Sequence, residues 1–525
     1  MIEGINPREY QQKIFETCSK KNCLVVLPTG MGKTLIALML AVQRQKEVRQ
    51  SKVLFLAPTK PLAEQHFKYF QKHLPQLYGQ FELFTGKVNA AKRKELWKKS
   101  DVVFSTPQCI ANDLKSERIS LEDVSLLVED EAHRCLKSYD YVYVVKKYRE
   151  QGKNQRILGL TASPGSDKSV IQKICENLDI EAVEIRTRES GDVKEYLQEL
   201  QTEVEKVDLP PDFVKIRDLM EEIFKRKAEE LKNRKLLFAP PTKKNLLELQ
   251  GSIMNSISSG NKHFNLLKGA SVCAQAIKVQ HALEMIETQG AEMFYDYVKG
   301  LFDQAAKGKS MAVKHLVKTT ELNRAYMIAS ELKIRGIKHP KLEKLKEIIS
   351  KSILQNPKLK AIIFSQYRNT ALAICKELNG IGGINARVFL GQTMKDGKGL
   401  SQKEQQELIR DFGLGKVNML VATSIGEEGL DIPEVNLVIF YEPIPSAIRR
   451  IQRIGRTARL MPGKVVILVT RKTRDEAYHY ASIAKEKKMY GILNNMGKEF
   501  KDKDSIITLD DFAIKEEGEK SKNVF

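Results

Sequence analysis

Three short stretches of this chain carry residue types suited to nucleotide chemistry, and the first is LPTGMGKT at Leu27–Thr34. It follows an apolar run and precedes an apolar, helix-forming stretch, a context typical of a loop whose backbone N–H groups surround phosphates. We expect Lys33 to reach the β- and γ-phosphate oxygens and the Thr34 hydroxyl to ligate Mg²⁺. The residues predicted to hold ATP in this loop are Thr29, Gly30, Met31, Gly32, Lys33 and Thr34.

The second stretch is VEDEAH at Val128–His133, at the end of an apolar run. Two adjacent carboxylates at the end of a buried strand are costly unless a cation lies nearby. We therefore expect Asp130 to hold Mg²⁺ through water and Glu131 to orient and deprotonate the attacking water. Alternation along a strand puts Glu129 on the opposite face, away from the metal. His133 is a candidate link to a second domain.

The third stretch, QRIGRTAR at Gln452–Arg459, lies far downstream. Arg456 and Arg459 stand three apart on one helical face and fit arginine fingers, with Gln452 positioning the water. The alternative is a basic helix facing phosphate or solvent. Such fingers reach a nucleotide held by the first loop only if two domains close on each other, which indicates a motor. Near the amino terminus, PREYQ offers Arg8 and Gln11 to the adenine edge.

The apolar runs predict two doubly wound α/β domains. Continuous β-branched runs separated by helical stretches are typical of parallel strands covered by helices on both faces, with sites at the carboxyl ends of the strands. From about Asp208 to Lys338 the runs give way to apolar residues at helical spacing, so we predict an inserted all-helical domain. The predicted strands lie at 23–27, 52–58, 101–106, 124–130 and 156–163, and again at 359–365, 386–390, 417–424, 435–443 and 464–470.

Composition narrows the possible partners and surroundings. The 525 residues carry a net charge of +21, and such a basic chain attracts polyanions such as nucleic acid. Archaeal and thermophilic proteins are often rich in Lys and Glu, so the charge alone does not decide the partner. No apolar run is long enough to span a bilayer, so we expect no membrane partner. The seven cysteines form no CxxC pair, which argues against a zinc site and for a reducing, cytoplasmic location.

Taken together, these motifs resemble those of the superfamily 2 helicases, in the same order. To the three stretches the chain adds APTKPLAEQH, TPQ, TAS, IIFSQYR and VATSIGEEGLDIP. The helical insertion and TRDEAYHY at Thr473–Tyr480 are similar to the archaeal Hef and eukaryotic FANCM group, without its nuclease module. The resemblance implies a RecA-like ATP-binding domain at 1–205, a helical insertion for branch recognition at 206–338, a second RecA-like domain at 339–500 and a flexible tail at 501–525.

The resemblance also implies contacts that the residues alone do not establish. Gly429 and Asp431 would touch ATP from the second domain, with Asp431 near the ribose. Sequence-blind contacts to a nucleic-acid backbone suit small hydroxyls and backbone amides at strand ends. The residues implied are Thr59, Lys60, Gly86, Thr106, Ser365, Gln366 and Thr423. Taken singly, each of these hydroxyls is also explained as a helix cap.

The function expected from this resemblance is that of an ATP- and Mg²⁺-dependent DNA helicase or translocase acting on forks and four-way junctions, associated with the nucleoid. A double-stranded-RNA-dependent ATPase or sensor of the Dicer or RIG-I type is the main alternative, because the layout is similar. A non-catalytic scaffold is disfavoured by the intact set of candidate catalytic residues. The stretch Ile507–Phe512 resembles a sliding-clamp peptide but lacks its glutamine and second aromatic residue.

Overall fold

A computed structural model describes residues 4–74, 79–308, 310–391, 399–423, 426, 432–458 and 461–519, with side chains up to residue 500. None of its helices, within those ranges, is long and apolar enough to cross a membrane. The predicted class is confirmed: two α/β domains are built on parallel sheets, and a helical domain lies between them in the chain.

The first sheet has seven parallel strands in the order β3-β4-β2-β5-β6-β1-β7. They are β1 (Cys23–Val26), β2 (Lys52–Leu56), β3 (Phe81–Phe84), β4 (Val102–Ser105), β5 (Val124–Asp130), β6 (Ile157–Thr161) and β7 (Ala182–Ile185). The sequence predicts the five inner strands, which are apolar throughout because helices cover both faces. It misses β3 and β7, the two edge strands, which are only half-buried and carry Glu82 and Glu184.

Within the described residues, eight helices of the first domain flank this sheet together with a later helix described below, and alternate strand residues contribute to two separate cores. Leu24 and Val26 join one core, whereas Cys23 and Val25 join the other, as the period of two along a strand requires. The helices are α1 (Glu9–Lys20), α2 (Lys33–Glu47), α3 (Lys60–His73), α4 (Ala90–Lys99), α5 (Pro107–Lys115), α6 (Asp140–Gln151), α7 (Lys168–Asn177) and α8 (Gly191–Lys194).

The second sheet has six parallel strands in the order β10-β11-β9-β12-β13-β8. They are β8 (Leu200–Val207), β9 (Ala361–Phe364), β10 (Ala386–Phe389), β11 (Met419–Ala422), β12 (Leu437–Phe440) and β13 (Gly463–Thr470). Its helices are α15 (Pro340–Gln355), α16 (Arg368–Leu378), α17 (Gln402–Gly413) and α18 (Ala447–Ile454).

Strand β8 lies mostly within the predicted first domain in sequence, but in the structure it belongs to the second sheet. It pairs along its whole length with β13, from Leu200 beside Gly463 to Val207 beside Thr470. The predicted first domain, residues 1–205, therefore includes most of a strand that belongs to the second sheet. The strand was missed because it is an exposed edge of alternating charged residues, whose sequence lacks the apolar run of a buried strand.

The inserted domain contains six helices and packs around its own core. They are α9 (Pro211–Asn233), α10 (Lys243–Ser258), α11 (Phe264–Thr288), α12 (Ala291–Ala306), α13 (Met311–Leu316) and α14 (Thr320–Ile334). The 25-residue helix α11 is buried along most of its second half, and its apolar side chains join those of α9, α12 and α14.

The last helix, α19 (Arg474–Glu519), begins on the second domain and returns to the first. Met489, Leu493 and Met496 are buried in a core of the first sheet, so this helix ties the two motor domains together. The predicted flexible tail, 501–525, falls mostly on the end of this helix. The clamp-like stretch Ile507–Phe512 lies where side chains are outside the described residues, and it stays a prediction.

One buried ion pair joins the start of α19 to the start of α15. Lys341 Nζ contacts Asp475 Oδ2, and both side chains are fully buried. The same carboxylate oxygen accepts a hydrogen bond from the backbone N–H of Thr470, 3.1 Å away. Removing one partner of such a pair leaves an uncompensated buried charge, which costs far more than breaking an exposed pair.

We expect Asp475→Ala to lower the free energy of unfolding by about 3–5 kcal/mol, because the buried Lys341 then loses its ion-pair partner. Urea unfolding followed by circular dichroism measures this change. The matched control is Glu248→Ala, which breaks the exposed pair with Lys244 and should cost under about 0.5 kcal/mol. Equal effects of the two substitutions would show that the buried pair is not structurally important.

Candidate functional site

The loop after β1 turns tightly before α2 begins. Gly30 and Gly32 adopt positive φ angles of 84° and 76°, which residues other than glycine rarely adopt. Lys33, the first residue of α2, donates from Nζ to the carbonyl of Leu27 at 2.9 Å. The lysine ammonium is thus folded back over the loop that its own backbone forms.

Helix α1 supports this loop from beside it. Tyr10 donates its hydroxyl to the carbonyl of Met31 at 2.8 Å, and Gln11 Nε2 donates to the same oxygen at 3.2 Å. A Cβ at Gly32 would lie 2.2 Å from Gln11 Nε2, so only glycine fits there. The other end of the Gln11 amide accepts from the backbone N–H of Arg8 at 2.9 Å. Both ends of the amide predicted for adenine therefore bind the protein itself in this conformation.

The two predicted metal-binding residues are joined by a histidine that we did not assign from the sequence. His66 Nε2 lies 2.9 Å from Asp130 Oδ2, and its Nδ1 lies 3.3 Å from the Thr34 hydroxyl. Burial alone would raise the pKa of Asp130, but attraction to His66 and Lys33 holds that pKa below its ordinary value. His66 is buried on α3 with its ring packed against Phe55, and it is the last residue of the motif APTKPLAEQH.

Glu131 follows the strand in a conformation rare for a residue with a side chain. Its φ and ψ are 52° and 48°, a left-handed geometry that costs about 1–3 kcal/mol and is often found at functional sites. Glu131 Oε2 lies 3.2 Å from His133 Nδ1, and the same nitrogen lies 3.2 Å from Thr161 Oγ1. These contacts of His133 tie Glu131 to the TAS segment of the first domain, and the expected link to the second domain stays a prediction.

The third carboxyl of this stretch, Glu129, is fully buried on the other face of β5, where alternation predicts it. Burial raises its pKa to about 8, and a hydrogen bond with the Cys135 thiol offsets this only in part. The side chain is therefore largely protonated at neutral pH, unlike that of Asp130 beside it.

The second domain meets the phosphate loop at the turn after α18. A Cβ at Gly455 would lie 2.7 Å from Cβ of Thr29, so the two backbones approach closely. Gln452 and Arg456, on either side of this glycine, are both buried. The neighbouring Arg453 lies over the rings of Phe364 and Phe440, 4.7 and 5.4 Å from their centres, and belongs to the domain core. Arg459, Gly429 and Asp431 lie outside the described residues.

The residues predicted for nucleic-acid contact follow strands of the other half of the first sheet. Thr59 and Lys60 come after β2, Gly86 after β3 and Thr106 after β4. The Thr59 hydroxyl is buried without a hydrogen-bond partner among the described residues, so it does not cap α3 as the structural alternative supposes. Gly86 is exposed, with open space around it.

The turn that contains Gly86 is held by a buried ion pair. Arg93 donates from Nε and Nη2 to the two carboxylate oxygens of Asp113, at 2.6 and 2.7 Å, and from Nη1 to the carbonyl of Val88. This bidentate geometry fixes the turn relative to α5. No sequence motif pointed to this pair.

In the second domain the predicted contacts follow neighbouring strands β9 and β11. Thr423 comes directly after β11 and is nearly buried. Ser365 is fully buried, and its hydroxyl donates to Glu442 at 3.2 Å. The Ser365 hydroxyl is therefore already engaged within the protein. Gln366 is partly exposed and binds the carbonyl of Pro443 through Nε2.

The raised pKa of Glu129 generates a test with a defined sign. Between pH 4.5 and about 8 the unfolded chain ionises this carboxyl while the folded chain keeps it protonated. The free energy of unfolding therefore falls by about 1.4 kcal/mol for each pH unit across this window, and Glu129 causes no further fall above it. We expect Glu129→Gln to change unfolding free energy little near pH 4.5 and to raise it by several kcal/mol at pH 8. Urea unfolding at both pH values checks this, with the exposed Glu122→Gln as control. A pH-independent effect would contradict it.

Comparisons with known proteins agree with this arrangement. Family models match for a DEAD/DEAH box helicase at residues 8–170, a helicase conserved C-terminal domain at 340–461 and an ATP-dependent RNA helicase helical bundle at 212–336. A Methanocaldococcus jannaschii protein, provisionally named an ATP-dependent RNA helicase, is 39% identical over 94% of this chain and 61% of its own length. The ATP-dependent DNA helicase mph1 of Neurospora crassa is 34% identical over 90% of this chain and 42% of its own.

The chain thus spans less than two thirds of these curated relatives. A solved structure, the Hef helicase domain of Pyrococcus furiosus, is 42% identical, with a TM-score of 0.69 over 91% of this chain and 98% of that one. Its near-complete coverage extends through both motor domains and the insertion between them. The chain belongs to the family of the Hef helicase domain, and it contains a DEAD/DEAH box helicase domain and a helicase conserved C-terminal domain.

Proposed function

We propose that this protein hydrolyses ATP to unwind or remodel forked and branched DNA. The observation that carries the proposal is the meeting of Lys33, Thr34 and Asp130 at one edge of the first sheet, with Arg456 one residue from the contact between Gly455 and Thr29. A nucleotide in this cleft touches both domains. Its binding and hydrolysis can then change their separation.

The loop after β1 fits the phosphates of ATP. Gly30 and Gly32 have positive φ angles that favour glycine, and this backbone suits a loop whose N–H groups would surround phosphates. Lys33 would exchange its bond with the Leu27 carbonyl for bonds to phosphate oxygens. Arg8 and Gln11 would lie beside the base, and exchange of the Gln11 hydrogen bonds would be needed for it to bind adenine.

Thr34 and Asp130 fit a magnesium ion, because hard oxygen ligands are what this ion prefers. The ion would neutralise charge on the phosphates when bound. Both groups share His66, whose two ring nitrogens fix the hydroxyl and the carboxylate relative to each other. His66 thus orients the two oxygen ligands, as residues that bind metal ligands commonly do.

Glu131 is suited to hold the attacking water and accept its proton. Its strained backbone and its contact with His133 fix the direction of its carboxylate at the end of β5. Gln452 would orient the same water from the second domain. Arg456 and Arg459 would stabilise charge on the transferred phosphoryl group, and such arginines are worth about 10³–10⁵ in turnover.

A DNA strand is proposed to cross the other half of each sheet. Thr59, Lys60, Gly86 and Thr106 on the first domain, with Gln366 and Thr423 on the second, offer small polar groups suited to phosphates and blind to sequence. The choice of DNA over RNA is supported by the names of relatives such as mph1 and fml1 of Schizosaccharomyces pombe, although the M. jannaschii relative carries an RNA name. A DNA substrate also supports the expected location at the nucleoid.

The helical insertion is proposed to recognise the branch. Between residues 225 and 268 there are ten lysines and arginines against three glutamates and no aspartate, so one end of this domain is strongly basic. Arg226 and Arg234 already bind Glu321 and Glu230. Other lysines of this region are exposed, and they suit a second duplex arm: Lys232, Lys235, Lys244 and Lys262.

We expect Lys33→Ala to abolish ATP hydrolysis and to leave DNA binding without nucleotide unchanged. The substitution removes the cation at the phosphates but touches none of the proposed DNA contacts. A coupled ATPase assay and fluorescence anisotropy with single-stranded, duplex, forked and four-way DNA, beside duplex RNA, measure both properties. Hydrolysis near the wild-type rate would refute the site, and stimulation by RNA alone would favour the RNA-dependent alternative.

We expect replacement of Lys232, Lys235, Lys244 and Lys262 by Ala to remove the preference for forked over single-stranded DNA. The slope of log affinity against log salt concentration should fall by about 0.9 for each lost phosphate contact on the duplex arm. Stimulation of ATP hydrolysis by single strands should persist, because the motor domains are untouched.

The matched control replaces Lys20, Lys153 and Lys173, exposed lysines of the first domain outside the insertion and the proposed strand contacts. It should change neither preference nor salt dependence beyond a small general effect. Equal loss of affinity for every DNA in the insertion variant would indicate a general clamp. No loss would indicate a spacer that only braces its neighbours.

A further inference from the structure

Glu442 is a buried carboxyl that lies at a junction of three elements. It stands two residues after β12 and is 1% exposed. Its Oε1 accepts from the Ser365 hydroxyl at 3.2 Å and from Gln289 Nε2 at 2.8 Å, while Oε2 accepts from the backbone N–H of Gln366 at 3.0 Å. Both carboxylate oxygens are thus used, and each bond fixes a different part of the structure.

Gln289 belongs to the inserted domain, where it ends helix α11. It is nearly buried, and its Oε1 accepts a hydrogen bond from the Thr370 hydroxyl in the first turn of α16. Its Nε2 also donates to the Thr288 hydroxyl at 2.7 Å. One amide of the insertion therefore contacts both the carboxyl that holds residues 365–366 and the helix that follows them.

Other contacts fix the end of α11 to a different side of the second domain. His339 Nε2 lies 3.0 Å from the carbonyl of Glu287, and Arg474 donates from its backbone N–H to Glu287 Oε2 at 3.2 Å. These contacts involve the segment before α15 and the start of α19, and neither reaches the loop after β9. The bond between Gln289 and Glu442 links the insertion to residues 365–366 of that loop. Tyr367, the next residue of the loop, also packs against the core of the insertion.

Directed hydrogen bonds in a buried site transmit small displacements, because breaking any one leaves a desolvated polar group that costs about 1–3 kcal/mol. A shift of the end of α11 thus moves Glu442, or breaks its bond, and changes the support of the Ser365 side chain and the Gln366 backbone. Glu442 holds these residues without reaching the surface itself.

We propose that Glu442 and Gln289 form a joint through which DNA bound by the insertion sets the position of the strand-contacting loop at 365–366. Both are positioning residues, and neither touches nucleotide. The inference rests on the proposed function, since it assumes that the insertion binds the branch and that this loop contacts the strand. It adds the physical path by which recognition of a branch reaches the motor.

The test is Gln289→Ala, which removes both bonds from the insertion and leaves Glu442 its bonds to Ser365 and Gln366. We expect stimulation of ATP hydrolysis by single-stranded DNA to stay within about twofold of wild type. The preference for forked DNA, measured as the ratio of half-saturating concentrations in the ATPase assay, should fall by about fivefold or more, the usual lower range of coupling between sites. Binding of forked DNA without nucleotide should persist.

Gln280→Ala is the matched control. Gln280 is a buried glutamine of the same helix, and its side-chain oxygen makes no hydrogen bond with the described residues. Its loss should leave the preference unchanged. A second variant, Thr370→Val, loosens Gln289 without altering the insertion and should reduce the preference in part. The exchange Gln289→Glu with Glu442→Gln restores an amide–carboxylate bond in the opposite sense, and it should recover the preference.

The outcomes separate the inference from the proposed function. A wild-type protein that DNA does not stimulate would refute the proposed function. If Gln289→Ala and Thr370→Val both kept the preference for forked DNA at the wild-type level, the proposed joint would be refuted, whereas the proposed function would stand. Loss of stimulation by every DNA in Gln289→Ala, with an unchanged circular dichroism spectrum, would also refute it, because the pair would then be general support for the motor.

Discussion

The contact between Gly455 and Thr29 is the constraint on which the proposed catalytic arrangement depends. The second domain reaches the phosphate loop only because a glycine stands there, since a Cβ would lie 2.7 Å from the threonine side chain. Arg456 directly follows this glycine, and Gln452 lies in the last turn of α18, three residues before the glycine. A bulkier residue at 455 would hold the domains apart and keep those side chains away from the nucleotide, although each domain would still fold.

Helix α3 connects the two halves of the first sheet. It begins at Lys60, where we propose that the DNA strand lies, and it carries His66 on its buried face. The rise of 1.5 Å per residue separates these positions by about 9 Å along the helix. His66 binds Thr34 and Asp130, so one rigid element connects the proposed strand contacts to the groups that would hold the metal. A displacement of α3 at Lys60 would therefore also displace His66 and its two partners.

The sequence predicts those features that follow from apolar burial. The five inner strands of the first sheet are predictable because helices cover both faces, and β5 with Asp130 at its end is the clearest case. Edge strands are not predicted from the sequence, because they are half-exposed and lack an apolar run. The clearest case is β8, whose charged residues do not indicate a strand and which pairs in the sheet of the other domain. Neither the return of α19 to the first domain nor its buried Met489 shows in any local pattern.

The site shows the same division. The order of glycines and the lysine in the phosphate loop has a local chemical meaning, and so does the pair of adjacent carboxylates. His66 has none, because a histidine on an apolar helix face is more often a core residue, and its role depends on two partners 32 and 64 positions away. Gln11 differs in another way: its amide is predicted to bind the edge of adenine, but in this conformation it binds the backbone of Met31.

The domains and the joints between them are held by different forces. Each sheet and the insertion has an apolar core, in which stabilisation is non-directional and grows with the area buried. The joint between the insertion and the second domain also uses buried polar groups: Glu287 with Arg474, and Gln289 with Glu442. Such groups add little net stability compared with apolar packing, but they tolerate only particular geometries. A motor needs domains that stay folded while their relative positions change, and joints made of a few directed bonds permit a small number of defined positions rather than a continuous range.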